Sequence, residues 1–169
     1  MKIAEYLLSE LEREGERTRA VLMAVPPDNY EWKPHDKSMK LGWLADMVAI
    51  IPTWIAMQVN RDELDIAPKD GSKTVSEPKT TSAALIEALD KSLGEARAAL
   101  SATSDEHLQT NWQLKVKDKV AQEAPRYQMI QDTFCHWAHH RGQMTVYLRL
   151  MGSKVPSTYG PSADDQSFR

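Results

Sequence analysis

Apolar side chains at Ala4, Leu7, Leu8, Leu11, Thr18, Val21 and Leu22, with Glu and Arg on most of the intervening positions, repeat with the 3.6-residue period of an amphipathic helix over residues 2–24. Pro26-Pro27-Asp28-Asn29 ends it, because proline has no N–H and clashes with the preceding turn. Tyr30 to Lys40 then reads as an extended connection. A second stripe, Leu41, Leu44, Val48, Ile51 and Ile55, contains Pro52, which predicts a kink near Val48 or an interruption there. Residues 62–79 are rich in turn formers and read as a long surface loop. Thr80 or Thr81 suits the cap of a third helix striped by Leu85, Leu89, Leu93, Ala96 and Leu100, after which Ser104 opens another turn or a loop. Leu108 to Val120 alternates too weakly for a strand and is read as irregular. A fourth helix runs from about Pro125 to Met151 and stops at Gly152, followed by an irregular tail, residues 153–169. The pattern predicts an all-α, four-helix bundle with long crossover loops, residues 1–169 forming a single domain.

Composition narrows the possible partners. The 169 residues are 41% hydrophobic and 27% charged with a net charge of -3 and both signs interspersed, which predicts neither disorder nor a nucleic-acid partner. The acids in Met-Lys-Ile-Ala-Glu-Tyr-Leu-Leu-Ser-Glu do not fit the apolar centre of a signal peptide. The longest apolar stretch, Leu44 to Val59, is broken by Asp46, Pro52 and Gln58, so no membrane span is expected. The single cysteine, Cys135, fits a reducing compartment, and a cytoplasmic protein is expected. Beside His136, Cys135 reads as a small buried apolar side chain rather than as a thiolate.

The candidate chemistry lies on the fourth helix. His136 and His140 are four residues apart, so both imidazoles can be directed at one divalent ion, zinc, nickel or iron, with further ligands from a facing helix or water. The same spacing also occurs in purely structural or surface pairs. His139 is turned about 100° from His140 and is expected to bond at the surface or to a neighbouring helix. His35 and His107 fall in segments where a lone histidine is ordinarily solvated.

The string His136-Trp-Ala-His-His-Arg-Gly-Gln-Met-Thr-Val-Tyr-Leu-Arg-Leu150, followed by Val155-Pro156-Ser-Thr-Tyr159-Gly-Pro-Ser-Ala-Asp-Asp165, resembles the C-terminal signature of the DinB-like superfamily. Trp32-Lys-Pro-His-Asp-Lys-Ser38-Met39 with Leu41-Gly42 and Leu44-Ala45 is similar to the loop and second helix of the same family. The resemblance implies a four-helix bundle, commonly a homodimer, holding a divalent metal through three histidines, two of which match His136 and His140. The third is expected in the pattern Leu-Gly-x-Leu-Ala-x-His, where this chain has Leu41-Gly-Trp-Leu-Ala-Asp-Met47.

Met47 therefore stands at the third-ligand position. A thioether is a soft donor that replaces imidazole for zinc or nickel only with a large loss of affinity. Asp46 is a harder alternative, but it lies about 100° round the helix from position 47. Thr133, Gln143 and Tyr147, on the same face as the histidine pair, are expected to line a ligand pocket, with interhelix hydrogen bonding as the competing role. Arg141 and Arg149 are expected to face the tail or a partner, within reach of Asp164 or Asp165.

The resemblance implies metal-dependent thiol transfer or hydrolysis, since a bound metal lowers the pKa of a thiol or water and makes a nucleophile near neutral pH. With Met47 in place, weak or altered activity is expected. The alternative is a non-enzymatic bundle without metal, acting as a binder of a small molecule or as a dimeric structural protein.

Overall fold

A computed structural model describes residues 2–69 and 78–167. Residues 70–77 of the expected loop, and the last two of the tail, lie outside the described residues. Helix α1 covers Ile3–Met23 and carries its apolar stripe on one buried side. Its first amide groups have no partner within the helix, and the Asp105 carboxylate accepts from Ile3 N at 3.0 Å and Ala4 N at 3.1 Å. That aspartate begins α5, the single turn Asp105–Leu108, where the Ser104 hydroxyl accepts from His107 N. Thr81 caps α4, Ser82–Ala102, by accepting from Ala84 N. The long helix α6, Arg126–Leu150, ends with Gly152 at φ 75, Ser153 N bonding Leu148 O and Gly152 N bonding Arg149 O. This is a Schellman closure, in which the left-handed residue is best supplied by glycine.

The expected second helix is two. Helix α2, Leu41–Ile50, and helix α3, Pro52–Asn60, meet at Ile51 with a bend of 43°. Pro52 lacks the N–H that would bond Val48, and the freed Val48 carbonyl accepts from the Trp137 indole N–H at 2.7 Å. One position on, the Ala49 carbonyl accepts from Ser92 Oγ, also at 2.7 Å. The break is thus bonded by side chains from α6 and α4. Because Trp137 is fully buried, Trp137→Phe leaves a desolvated carbonyl and is expected to destabilise the protein by about 1–3 kcal/mol in denaturant unfolding. The loss should shrink in a Pro52→Ala background, where the restored backbone N–H can serve the Val48 carbonyl. An equal loss in both backgrounds would contradict this account.

The all-α expectation needs correction. Strand β1, Glu63–Asp65, pairs in parallel with β2, Asn111–Val116, which pairs antiparallel with β3, Lys119–Pro125. The segment read as irregular is therefore mostly a β-hairpin. Its register shifts between Leu114 and Lys115, leaving Ala121 unmatched, and β3 buries no residue fully, so no sustained alternation is visible. Its two-residue turn, Lys117-Asp118, holds both residues at positive φ without glycine or asparagine. Asp65 compensates by accepting from Lys117 N at 3.2 Å and Asp118 N at 2.6 Å. At the other end of the sheet, buried Arg126 donates to Asn111 O, Arg61 O and the Asp62 carboxylate.

The core lies between α1, α2–α3, α4 and α6, and includes Leu7, Leu11, Leu22, Leu44, Ile55, Leu89 and Trp137. Gly42 permits the close passage of the 24–40 connection, since a Cβ there would meet Tyr30 O at 3.1 Å. Among the described residues, no single helix is long and apolar enough to cross a membrane. The pair α2–α3 meets that test only together and across its bend.

Candidate metal centre on helix six

Helix α6 turns Ile130, Thr133, Phe134, Trp137, Arg141, Met144 and Leu148 inward. His136 is consequently exposed and His140 half-buried, at the margin of the helix packing. Cys135 is exposed as well, which corrects its reading as a buried side chain. It sits on the outward side of α6, where Gln131 Nε2 approaches its sulfur at 3.8 Å.

The two histidines do converge. His136 Nε2 and His140 Nε2 lie 3.1 Å apart, with ring centroids 4.4 Å apart. Two nitrogens about 2.05 Å from a shared ion and separated by that distance subtend roughly 98°, between octahedral and tetrahedral angles, so the pair fits bidentate ligation. His140 Nδ1 lies 2.8 Å from Gln143 Oε1, and Gln143 Nε2 lies 3.0 Å from His139 Nε2. With the amide oxygen facing it, His140 Nδ1 donates, and the one hydrogen of the Nε2–Nε2 contact then belongs to His136 until an ion takes its place. Carbonyl support of this kind behind a ligating imidazole is the usual arrangement at metal sites. Desolvation, and then His140 and His139, hold His136 below the ordinary imidazole pKa. That favours the neutral form a ligand must have.

The facing wall is α2–α3. Gln58 Nε2 bonds Thr133 Oγ1 at 2.9 Å, the Trp54 ring lies 5.3 Å from the His136 ring, and Val48 O bonds Trp137. These pairings show an antiparallel course. Met47 is half-buried and packed against the core. Asp46 is buried and paired with Lys79, whose Nζ is 3.0 Å from its carboxylate. Among the described residues, no group of three or more His, Cys, Asp or Glu side chains is arranged to hold a metal. The two imidazoles fit an ion, and the third position, as a thioether, does not supply a hard ligand.

The remaining residues singled out in the sequence are bonded in several ways. Thr133 is buried against Gln58, also bonds Met129 O, and reaches the histidine pair only through the neighbouring turn. Tyr147 donates to Met39 O at 3.0 Å and packs edge-on against Trp32. Gln143 is exposed and joins His139 to His140. Arg149 pairs with Asp164 at 2.5 Å, as expected of the tail. Arg141 faces the tail too, but through Tyr159, and its carboxylate partner is Glu14 of α1. His107 bonds Val59 O at 2.8 Å, and His35 Nδ1 accepts from Lys37 N.

Sequence reasoning missed Trp54 and the role of Gln143. The latter was legible as a residue three beyond His140 and four beyond His139, the spacing at which helical side chains meet. Two surface depressions, of about 590 Å³ beside Met23, Ile86 and Asp90 and about 510 Å³ beside Tyr6, Tyr127 and Gln131, include neither His136 nor His140.

Comparison with known proteins places these observations in a family context. The model of the DinB family matches residues 1–167. The fold is similar to a DinB-like protein from Bacillus cereus, with 24% identity, a TM-score of 0.71, and coverage of 92% of this chain and 97% of that one. It is also similar to the DinB-like protein YjoA from Bacillus subtilis, with 18% identity, a TM-score of 0.66, and coverage of 96% and 99% respectively. At these identities the likeness concerns the fold. The uncharacterized protein YrdA of Bacillus subtilis is 39% identical over 46 residues, which span 27% of this chain and only 28% of that relative.

Proposed function

The chain belongs to the DinB family, and from that premise we propose that it is a divalent-metal protein whose ion, zinc, nickel or iron, is held by His136 and His140. The observation that carries the reading is the 3.1 Å separation of the two Nε2 atoms, with His140 Nδ1 committed to Gln143. The four long helical units, α1, α2–α3, α4 and α6, form the bundle that presents this pair, and a homodimer is the assembly we assign to it.

A metal at this position supplies a lowered pKa for bound water or for a small thiol. The reaction class is metal-dependent hydrolysis or thiol transfer, with weakened or altered activity because Met47 withholds a third imidazole. Trp54 walls one side of His136 and limits water there. Gln143 orients His140. Thr133 and Tyr147 hold the adjoining α3 and 24–40 segments in place, and so shape the rim where a small ligand would sit.

Metal analysis of protein purified without immobilised nickel tests the proposal. About one divalent ion per chain is expected, lost in a His136→Ala/His140→Ala double variant that remains folded. A metal-free protein that added zinc fails to stabilise in a melting assay would defeat it. That result would instead favour the non-enzymatic reading, a small-ligand binder or structural dimer, to which the substitution at Met47 already lends support.

A further inference from the structure

We propose that a second copy of this chain docks on the outward side of α2–α3, through the stripe Trp43, Met47, Ile50, Trp54 and Met57. The proposal rests on the homodimer assigned to the bundle and names the surface that forms it. Of residues 41–60, seven are not buried, these five with Thr53 and Asn60. The five recur at intervals of four, three, four and three residues, the repeat that keeps side chains on one side of a helix. Ile51 keeps helical dihedrals, φ -49 and ψ -38, so the stripe continues through the bend. The one charged residue of this stretch, Asp46, is buried and paired with Lys79.

Other long helices present a different surface. Helix α1 exposes Glu5, Glu12 and Arg13, and α4 exposes Glu87, Asp90 and Arg97, as solvated faces do. An outward side built of Trp, Met and Ile has instead the composition of an interface centre, depleted in charge and enriched in aromatic residues and Met. It widens onto α6, where Trp54 lies 5.3 Å from the His136 ring and Leu150, 60% exposed, stands two heptads beyond His136 on the same side. Fourteen steps of 1.5 Å make the stripe about 21 Å long, and two helices about 10 Å apart make the face about 20 Å wide. That area suits the apolar centre of an interface burying roughly 800 Å² per partner.

The order of the side chains favours the chain itself as occupant, because a two-fold interface joins a surface to its own copy. Antiparallel pairing about an axis at Ile50 sets Ile50 against itself, Trp43 beside the partner's Met57, and Met47 beside the partner's Trp54. Each indole then meets a thioether, a favourable sulfur–aromatic contact in which the unbranched Met chain adapts to the flat ring. The axis falls next to the bend at Ile51, so α2 of one copy lies along α3 of the other. A membrane surface is the poorer match, since interfacial helices carry Lys and Arg around their apolar side and residues 41–60 contain neither.

Light scattering of the native full chain at micromolar concentration should give a dimer. Trp43→Glu and Met57→Lys should each raise the dimer Kd by about 100-fold, by placing an unpaired charge at the centre of the interface, with native helix content kept in circular dichroism. The double change Trp43→Glu/Met57→Lys should recover most of the dimer, because positions 43 and 57 are about 21 Å apart in one chain and meet only across the two-fold axis. Met23→Glu, at a side chain 67% exposed on α1, should leave the dimer intact. Single variants that stay dimeric would overturn the proposal while leaving the homodimer itself standing, and a double variant no more dimeric than either single one would overturn the antiparallel pairing. A monomeric native protein would overturn both the face and the homodimer, and one that instead binds phosphatidylserine vesicles, with binding lost in Trp43→Glu, would give the face to a membrane. None of these outcomes depends on whether His136 and His140 hold an ion.

Discussion

Replacing Met47 with histidine should raise zinc affinity by roughly a hundredfold, the largest gain in binding expected of any single change in this chain. Position 47 reaches that importance through the register of α2–α3 against α6. Gln58 meets Thr133, Trp54 meets His136, and Val48 meets Trp137, so the opposed helices run antiparallel, and position 47, next to Val48, is expected to come level with the turn after Trp137. An imidazole there adds a neutral nitrogen to a pair already spaced for one ion. Competition titration against a chromophoric chelator reads the change directly. Asp46→His is the matched control, because the Asp46 side chain is directed to Lys79 rather than to α6, and it should gain little. A Met47→His protein with native affinity would mean that position 47 does not face the pair, and the two-ligand account would then lose its explanation for the missing third ligand.

The second large effect is on stability. Glu14, Arg141, Thr18 and Tyr159 meet under the C-terminal tail, where Arg141 donates to Thr18 Oγ1 at 2.9 Å and Tyr159 donates to Glu14 Oε2 at 2.7 Å. Arg141 and Arg17 both pair with Glu14, and both guanidinium groups lie over the Tyr159 ring. Removing the Glu14 carboxylate takes from buried Arg141 its ion-pair partner. Glu14→Ala should therefore destabilise the protein by about 3–5 kcal/mol. That corresponds to a fall in Tm on the order of 10 °C for a chain of this size. A combined Glu14→Leu/Arg141→Met change should lose much less, because the more deeply buried guanidinium is removed together with its carboxylate. If the single and double variants melt together, the ion pair is not what holds the tail.

The same cluster makes stability depend on pH. Burial raises the pKa of Glu14, but the Arg141 guanidinium and hydrogen bonds from Arg141, Tyr159 and Arg17 outweigh it and hold the carboxyl below the usual range. A carboxylate whose pKa is lowered by folding contributes fully above its unfolded value of about 4.5, and the contribution disappears as pH falls through the lower folded value. Native protein should lose stability across that acid window more steeply than Glu14→Gln. Tyr159, whose hydroxyl is pushed up to about 12 by burial and by its bond to Glu14, stays protonated throughout.

The long elements were legible because their apolar stripes coincide with burial. Leu7, Leu11, Val21 and Leu22 face inward on α1, and Leu85, Leu89, Leu93 and Ala96 do so on α4. Thr81 and Gly152 stand at their expected ends. The hairpin was not legible, because its turn lacks the residues that usually announce one and its bulge at Ala121 breaks the alternation. Nor does a pattern of charges distinguish a buried arginine from a solvated one: Arg141, expected to face the tail or a partner, and Arg126, which no pattern singles out, are 1% and 2% exposed. The histidine pair itself was visible as a spacing. That it lies at the margin of α6, tied to His139 through Gln143, required coordinates, because the sequence records which residues share a helical face but not how far that face turns from its neighbours.

The carboxylate of Asp105 at the start of α1 bears on the order in which the molecule is assembled. Ile3 and Ala4 give their amide hydrogens to a residue 102 and 101 positions further along the chain. The middle of α1 can form from local contacts alone, but its opening turn closes only after α4 has been traversed and α5 has docked. Long-range closures of this kind form late, because the loop entropy is lost before the contact can be made. The first turn of α1 and the single turn of α5 therefore belong to one cooperative unit, opening and closing together although half the chain separates them.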